Sequence, residues 1–542
     1  MKGNPKFIFI VGGVLSGVGK GVTSSSLGAI FKSKGLRVTA LKADPYVNID
    51  AGTMNPTEHG EVFVTIDGDE TDQDMGNYER FLNVDLTSMN YMTTGRVYQT
   101  VIENERAMKY KGKCVQVVPH IPEEIIERIH RAQENHEADI TLIEIGGTVG
   151  EYENILFLEA ARMMKLKNPK DVAFVIVSYL PIPGHLGEMK TKPTQHAVRE
   201  LNQAGINPDI IIARGAEELD EPRKEKLATF CGVSKENCIS APDVDSIYKV
   251  PINFEKQDLG NKILRVLDLH ERESDMSFWD DFYKKSIQKE NIVRVAVVGK
   301  YFGTGDYTLS DSYISVIEAI KHASYFHNCH PQLTWIDSEE YESNPEKIEE
   351  LREYNGIIVP GGFGSRGIEG VIQAIQFARE NKIPYLGLCY GMQLACVEFL
   401  RNVVGKKDAN TVEINPNTPD PIIHINPLQK ENVTENRYGG TMRLGAYNCL
   451  LKKETKTYEA YNEEYISERH RHRYEFNNDY REVIENAGLK IAGINEESNL
   501  VEIVELKDHP FFVGTQFHPE FQSRPMNPHP LFRAFIEASK KK

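Results

Sequence analysis

Pro384-Tyr385-Leu386-Gly387-Leu388-Cys389-Tyr390-Gly391-Met392-Gln393 reads as a buried strand, a sharp turn carrying one thiol, and a helix that continues through Leu394, Ala395, Val397 and Phe399. Glycines on both sides of a nucleophile permit a tight strand-to-helix turn, which lifts the side chain out of the sheet. The helix N-terminus then lies beside the sulfur, where unpaired N–H groups and the positive dipole end stabilise a thiolate or an oxyanion. On spacing alone the plainer reading, a buried cysteine in a βα unit, is the favoured one, because free cysteine is among the most buried residue types. The rest of the chain decides between the two.

The chain has 542 residues, enough for two to four domains, and its 40% hydrophobic and 26% charged residues are ordinary for a globular protein. A net charge of −16 argues against a nucleic-acid-coating surface but leaves room for local basic pockets. Seven cysteines, irregularly spaced and without a C-x-x-C pair, resemble neither a disulfide framework nor a zinc site, which points to a reducing compartment. Phe7 to Leu15 is apolar after Lys2 and Lys6, yet it is short, glycine-interrupted and runs into a phosphate-loop pattern, so it is not read as a signal peptide. No apolar run approaches membrane-spanning length. The expectation is a cytoplasmic protein with neither nucleic acid nor membrane as partner.

Working outward to the amino end, Lys6 to Val11 is a buried strand of parallel-sheet type. It leads into Gly12-Gly13-Val14-Leu15-Ser16-Gly17-Val18-Gly19-Lys20-Gly21-Val22-Thr23 and a helix through Leu27, Ile30 and Phe31. Strand, glycine-rich loop with Gly-Lys, then helix is the phosphate-loop arrangement, in which backbone N–H groups wrap phosphate oxygens and Lys20 reaches the terminal phosphates. The pattern departs from the usual one, because Gly21 stands where a hydroxyl normally ligates magnesium. A carboxylate is then needed for Mg²⁺, which takes oxygen ligands. The acidic run Glu70-Thr71-Asp72-Gln73-Asp74 reads by itself as a solvated loop. Glu144, near the carboxyl end of the strand Ile140 to Ile145, lies where ligands collect in open α/β sheets. Asp74 and Glu144 are therefore the expected metal pair.

Further strands are read at Leu36 to Leu41, Asp171 to Ser178, Ile210 to Ile212 and Ile239 to Val244. Lys190-Thr191-Lys192-Pro193-Thr194-Gln195-His196 opens a helix and is either a cap on a solvated face or a second phosphate-ligand segment, with lysines as point charges and threonines as donors. Alternating strands and helices over residues 1–267 predict a doubly wound parallel sheet. Residues 268–291 are charged and poor in aliphatics, which predicts a polar linker helix.

A second α/β pattern fills 292–542, beginning at Val293-Arg294-Val295-Ala296-Val297-Val298-Gly299 and including Ile357-Ile358-Val359-Pro360-Gly361-Gly362 before the cysteine turn. Phe511 to Gln516 is a last strand, followed by Phe517-His518-Pro519-Glu520. His518 and Glu520, two residues apart, face the same way if the segment is extended, which supplies a base and the carboxylate that orients it. Together with the glycine-flanked thiol, they turn Cys389 into a nucleophile.

With these residues in view the chain resembles a known family. Gly387 to Gln393 with His518-Pro519-Glu520 looks like a class I (triad) glutamine amidotransferase domain, of flavodoxin-like fold. The amino half resembles the synthetase domain of the CTP synthase family, a P-loop, dethiobiotin-synthetase-like amidoligase domain. The resemblance there rests on Gly17 to Gly21, Glu70 to Asp74, Glu144 to Gly150 and Lys190 to Gln195, and overall it runs from about Phe7 to Pro525.

The resemblance implies a ligase that aminates UTP to CTP. ATP phosphorylates the uracil 4-oxygen, glutamine is hydrolysed at Cys389, and ammonia crosses to displace the phosphate. It implies that Gly17, Val18, Gly19, Lys20, Gly21, Val22 and Asp74 hold ATP with Mg²⁺, and that Pro242, Asp243 and Val244 border its adenine. It implies that Ser16, Lys190, Thr191, Lys192, Pro193, Thr194, Gln195 and Lys226 hold UTP, and that Glu151, Tyr152 and Glu153 read CTP as a feedback inhibitor. Gly362, Tyr390, Gly391, Met392, Gln393, Glu413 and Arg473 are implied to bind glutamine, with the N–H groups of Gly362 and Tyr390 as oxyanion hole. GTP is the implied allosteric activator, acting through a lid near 300–314. There this chain departs from the pattern, with Gly303-Thr304-Gly305-Asp306-Tyr307 as a longer segment and Ile314 where some members have lysine. Homotetramers, and in some members filaments, are the implied assemblies.

Two other readings fit parts of the pattern. An amidotransferase acting on a carboxylate of a large cofactor precursor shares the phosphate loop, but the lysine–threonine segment and the paired acids argue against it. A nucleotide-binding filament protein without turnover is opposed by an intact Cys389, His518 and Glu520.

Overall fold

The structure is a computed structural model that describes residues 4–55, 59–184, 187–300, 303–304, 307–308, 310–426 and 440–542. Gly305 and Asp306 of the lid segment lie outside the described residues. The chain divides into two compact units, one of residues 1–50 and 77–287, the other of 51–76 and 288–542. The sequence reading instead draws its boundary at 267 and leaves 268–291 as a linker.

The first unit is built on a seven-stranded sheet in the order 91–93, 38–44, 140–145, 6–13, 172–179, 210–215, 238–242. Every neighbouring pair is parallel. Strand Lys6–Gly13 is buried along its whole length, as is Val38–Asp44, because helices cover both faces of such a sheet. Phe7, Phe9 and Val11 point into a core shared with Ile125, Ile143, Phe157 and Phe174. The chain runs outward from the central strand to 38–44 and 91–93, then returns past it to 172–179. Strand 6–13 is thus the point where the winding reverses, and the loops that leave it and strand 140–145 border the crevice that α/β sheets use for ligands. The helix Ser277–Ile287, read as a linker helix, packs on this unit, with Trp279 stacked on Phe81 at 4.9 Å and Phe282 edge-on to Tyr248 at 4.7 Å.

The second unit carries a nine-stranded mixed sheet. Its parallel half runs 330–337, 292–299, 356–359, 385–388, 512–515. Numbered along the chain this is 2-1-3-4-5, the flavodoxin-like order. The two faces alternate residue by residue: Ala296 and Val298 enter one core with Val359 and Tyr385, while Val295 and Val297 enter another with Leu386 and Phe535. Four antiparallel strands, Leu500–Leu506, Leu489–Asn495, Arg443–Leu451 and Tyr465–His472, extend the sheet. The sequence reading did not anticipate them. Residues 51–76 join this unit through a short hairpin, Phe63–Val64 with Glu70–Thr71. Among the described residues no helix is long and apolar enough to cross a membrane.

Candidate active sites

The thiol turn follows strand Tyr385–Leu388, and Cys389 is the residue that precedes helix Tyr390–Asn402. Its backbone sits at φ 49° and ψ −95°, a strained region for any side chain, and strain of this kind is held in place only by the surrounding structure. The flanking glycines serve a different purpose from the one the sequence suggests. A Cβ on Gly391 would lie 2.3 Å from the Val359 carbonyl oxygen, and one on Gly387 would lie 2.8 Å from the Gly391 backbone. They allow close packing, and the unusual dihedral belongs to the cysteine itself.

His518 stands beyond strand Phe512–Thr515, and its Nδ1 bonds Glu520 Oε1 at 2.7 Å. The pairing expected from the sequence is present, but its geometric reason is corrected. Pro519–Gln522 is a 3₁₀ turn and not an extended segment, and the turn brings Glu520 back to the ring. His518 Nε2 has no hydrogen-bond partner among the described residues. Burial opposes a charge on this imidazole, but Glu520 and the Cys389 sulfur outweigh it and push the pKa up to about 10. A Cβ on Gly361 would lie 2.8 Å from the His518 ring, so the glycine turn is also a space requirement.

Cys389, His518, Glu520, Gly361 and Gly362 line one cavity of about 100 Å³. The turn after strand Gly356–Val359 is fixed by three bonds to Gly364: its N–H donates to Glu413 Oε1 at 2.8 Å, and its carbonyl accepts from Lys300 Nζ at 2.7 Å and from the Tyr390 hydroxyl at 2.8 Å. Burial lowers the Lys300 pKa to about 8 and raises that of Glu413. Gln393 is buried and donates to the Tyr474 carbonyl at 3.1 Å, and Arg473 reaches the Thr441 hydroxyl at 3.2 Å. Met392 packs in the core, where Gly514 abuts its Cβ.

Sequence reasoning missed several groups here. Gln516, fully buried, donates from Nε2 toward Cys389 Sγ at 3.7 Å and accepts from Gln393 at 3.3 Å. Its signal was its place two residues before His518. Glu61 and Val62 form part of the cavity wall. Glu61 is held by the backbone N–H of Ser315 at 3.2 Å and by the Ser315 hydroxyl. Nothing near residue 61 in the sequence points to a thiol more than three hundred residues away. In the run Arg469-His470-Arg471-His472-Arg473 the arginines take separate partners. Arg469 is fully buried and donates to the Val64 carbonyl at 3.1 Å, while Arg471 pairs with Glu70 at 2.9 Å. Glu70 is thus an internal ion-pair partner and not part of a solvated loop. Asp72 caps the helix Asp74–Leu82 by accepting from the Asp74 N–H at 2.8 Å, and Asp74 is that helix's first residue.

In the first unit, Gly17 and Gly19 adopt φ 70° and 93°, the left-handed region that favours glycine, and Gly19 leads into helix Lys20–Ser33. The N–H groups of Lys20, Gly21 and Val22 therefore lie in the unpaired first turn. Lys20 Nζ donates to the Gly147 carbonyl at 2.7 Å, tying the loops after strands 6–13 and 140–145 together. Val18 is buried and Ser16 exposed. Beside the loop is an apolar cavity of about 90 Å³ lined by Gly19, Val22, Pro242, Val244, Phe254 and Arg214. Asp243, between Pro242 and Val244 in the chain, pairs with Arg214 at 2.9 Å. Arg214 was not singled out from the sequence.

Glu144 is 1% exposed. Its Oε1 accepts from Lys42 at 2.9 Å and its Oε2 from Ser24 and the Tyr78 hydroxyl. A carboxylate in such a place matches the oxygen preference of Mg²⁺, which usually rests on one or two carboxylates plus phosphates and water. Among the described residues no group of three or more His, Cys, Asp or Glu side chains converges on a metal position.

Of the lysine–threonine segment, Thr194 accepts from Ser178 at 2.8 Å and Gln195 donates to Thr191 at 3.1 Å, so these buried groups shape the helix start. Pro193 occupies the first turn of helix Lys192–Gln203. Lys190 pairs with Glu188 at 2.7 Å, Lys192 lies over the Phe230 ring, and Lys226 is exposed on helix Glu221–Cys231. Glu151 caps the Thr148 N–H at 3.0 Å, and Tyr152 and Glu153 are exposed, Tyr152 by 92%.

Comparison with known proteins places the chain in a family. A family model described as CTP synthase N-terminus matches residues 6–269, and one described as glutamine amidotransferase class-I matches 308–538. The chain is 51% identical over 535 residues to a CTP synthase of Caldanaerobacter subterraneus subsp. tengcongensis, covering 98% of each chain. It is 51% identical over 538 residues to a CTP synthase of Carboxydothermus hydrogenoformans, covering 99% of each. Among solved structures it is similar to the glutaminase domain of Trypanosoma brucei CTPS with bound acivicin, at 39% identity and TM-score 0.43, covering 46% of this chain and 94% of that one.

Proposed function

The chain belongs to the CTP synthase family, and on that premise we propose how its residues divide the family's reaction. That reaction is the ATP-dependent amination of UTP to CTP with glutamine as nitrogen donor, a step of pyrimidine nucleotide biosynthesis.

The observation that carries the assignment is Cys389 on a strained turn, sharing one cavity with the His518–Glu520 pair and the Gly361-Gly362 backbone. Cys389, as thiolate, attacks the side-chain amide carbon of glutamine. The N–H groups of Gly362 and Tyr390 receive the oxyanion. His518 delivers its proton to the departing nitrogen as the C–N bond breaks, and ammonia leaves a thioester on Cys389. Water, deprotonated by His518, then cleaves the thioester to glutamate. Glu520 holds the imidazole in place and offsets its charge. Gly391, Met392, Gln393, Glu413 and Arg473 complete the glutamine site.

In the amidoligase domain (1–267, joined through 268–291 to the amidotransferase domain 292–542), Gly17 to Val22 cradle the ATP phosphates, and Pro242, Asp243 and Val244 border the adenine. Lys20 swings from the Gly147 carbonyl to the terminal phosphates. Asp74 and Glu144 are the residues that would hold Mg²⁺. Bound magnesium supplies charge neutralisation at the phosphate oxygens. Ser16, Lys190 to Gln195 and Lys226 hold UTP. Phosphorylation of the uracil 4-oxygen makes it a good leaving group, and ammonia at carbon 4 then releases phosphate and gives CTP. Exposed Glu151, Tyr152 and Glu153 read CTP as feedback inhibitor. GTP activates through the segment 300–314, and the protein works in the cytoplasm as a homotetramer able to polymerise, without nucleic-acid or membrane partners.

The test is Cys389→Ala. It is expected to abolish CTP formation from glutamine and to leave formation from UTP, ATP, Mg²⁺ and ammonia intact. Loss of both, or retention of the glutamine-driven rate, overturns the assignment of separate sites.

A further inference from the structure

Strand Tyr465–His472 has two unlike faces. Arg469 and Arg471 point one way, to the Val64 carbonyl and Glu70. His470 and His472 point the other way and are almost fully buried, with exposures of 0% and 4%. No step of the proposed reaction uses them.

Their hydrogen bonds fix their tautomers. The Tyr474 carbonyl can only accept, so His472 donates to it from Nδ1, at 3.1 Å. His472 Nε2 is then the acceptor for His470 Nδ1, 2.8 Å away, so that Arg443 Nη1, 3.5 Å from the same Nδ1, meets it as a charge and not as a hydrogen-bond donor. His470 Nε2 is left with a lone pair, 3.7 Å from Glu502 Oε2, and neither atom has a hydrogen-bond partner among the described residues. Around the pair stand Arg443, which binds Glu502 at 2.8 Å and lies 3.8 Å from Glu475, and Glu475 itself, 3.4 Å from His472 and bonded by Asn426 at 3.1 Å. Tyr447 closes the remaining side, its ring under the Arg443 guanidinium at 4.3 Å and edge-on to His470 at 5.3 Å. His518, whose backbone N–H donates to the Arg469 carbonyl, adds its own positive field.

One guanidinium faces two carboxyl groups and two neutral imidazoles. With both carboxyls ionised the cluster would carry an uncompensated buried negative charge, which is costly. It is neutral when it keeps one proton, and such closely coupled groups titrate as a unit. Burial raises both carboxyl pKa values, that of Glu475 to about 8, and holds both imidazoles well below their usual range.

The cluster lies directly behind the thiol. The Arg469 carbonyl accepts from the His518 N–H at 2.8 Å, and the Arg471 carbonyl lies 3.8 Å from Cys389 Sγ. The Tyr474 carbonyl that takes His472 also takes Gln393 at 3.1 Å, and the Glu502 carbonyl takes the Gln516 N–H at 2.8 Å. Four backbone carbonyls that contact the thiol, the imidazole or the glutamines beside them thus belong to residues of this cluster or to their immediate chain neighbours.

We propose that His470 and His472, with Arg443, Glu475 and Glu502, are positioning residues of the glutamine-hydrolysing site. They form a buried one-proton cluster that holds strand Tyr465–His472 in register with Cys389 and His518, and the thiol site depends on the cluster keeping that proton. The proposal rests on the assignment of Cys389 and His518 made above.

The test uses the full chain and measures CTP formation from glutamine and from ammonia between pH 6.5 and 9. His472→Gln is expected to lower the glutamine-driven kcat by about tenfold to a hundredfold, with a smaller change in glutamine KM and the ammonia-driven rate kept within about twofold, since small misplacements of reacting groups have costs of that order. Glu475→Gln imitates the protonated carboxyl at nearly equal size. It is expected to remove the alkaline fall of the glutamine-driven rate near pH 8 while the parent chain keeps it. Equal loss of both activities in His472→Gln, no loss in either, or an unchanged alkaline limb in Glu475→Gln overturns the proposal. Cys389→Ala run alongside separates the failures: if it keeps glutamine-driven synthesis, the underlying site assignment is wrong; if it loses that activity while the cluster variants behave as the parent, only the positioning role is wrong.

Discussion

At the scale of single residues, the thiol site depends on space as much as on charge. Cys389 holds φ 49° because the chain on either side leaves it no other course, and Gly391 is the tightest of its neighbours. In Gly391→Ala the new Cβ would meet the Val359 carbonyl at 2.3 Å, a backbone atom that cannot swing aside. The expected cost is about 1–3 kcal/mol of stability and most of the glutamine-driven activity, read by thermal unfolding and glutamate release. A variant as stable and active as the parent would mean the turn relaxes freely. His518 carries a pH signature. Its proton is held in the folded chain up to about pH 10, whereas an ordinary histidine releases it near 6.5. Between those values the folded state binds more protons than the unfolded state, so this contribution is complete below pH 6.5 and lost as pH rises through 10. His518→Gln is expected to flatten the stability–pH curve in that window, as followed by chemical denaturation at pH 6, 8 and 10. Parallel curves for variant and parent would refute it.

At the scale of elements, the segment 51–76 behaves as part of the amidotransferase unit. Glu61 caps the start of helix Ile314–Phe326 through Ser315, Glu70 pairs with Arg471, and the Val64 carbonyl receives Arg469. Glu70→Ala leaves Arg471, which is 21% exposed at its side chain, without this carboxylate. The expected destabilisation is roughly 1–3 kcal/mol, with Glu70→Gln losing less because an amide oxygen still accepts. Urea unfolding followed in the second unit checks this, and equal midpoints for Glu70→Ala and the parent would exclude a structural role for the pair. Strand Tyr465–His472 links the two sides: its arginines grip this segment, its carbonyls steady Cys389 and His518, and its histidines rest on the buried cluster.

At the scale of the molecule, residues 288–542 made alone lack Glu61 and Val62 from the cavity wall and leave Arg469 without the Val64 carbonyl. Such a fragment is expected to have a lower Tm than the same fragment joined to 51–76 and to alkylate faster at Cys389. Equal Tm and alkylation rates would show that the segment is dispensable. The sequence by itself determined the parallel strands, because a stretch buried on both faces reads as an unbroken apolar run, as over residues 7–13 and 295–299. It determined the thiol turn and the His518–Glu520 pairing, because their partners lie within a few residues, although it read as extended a segment that turns as a 3₁₀ helix. It left the antiparallel extension unread, since polar side chains such as Glu468, His470, His472 and Glu502 are buried there and break the hydrophobic alternation. Only the tertiary structure decided that Glu61, Gln516 and Cys389 share a site and that two histidines lie behind it. Which distant side chains meet depends on how whole elements pack, and no local run of residues carries that information.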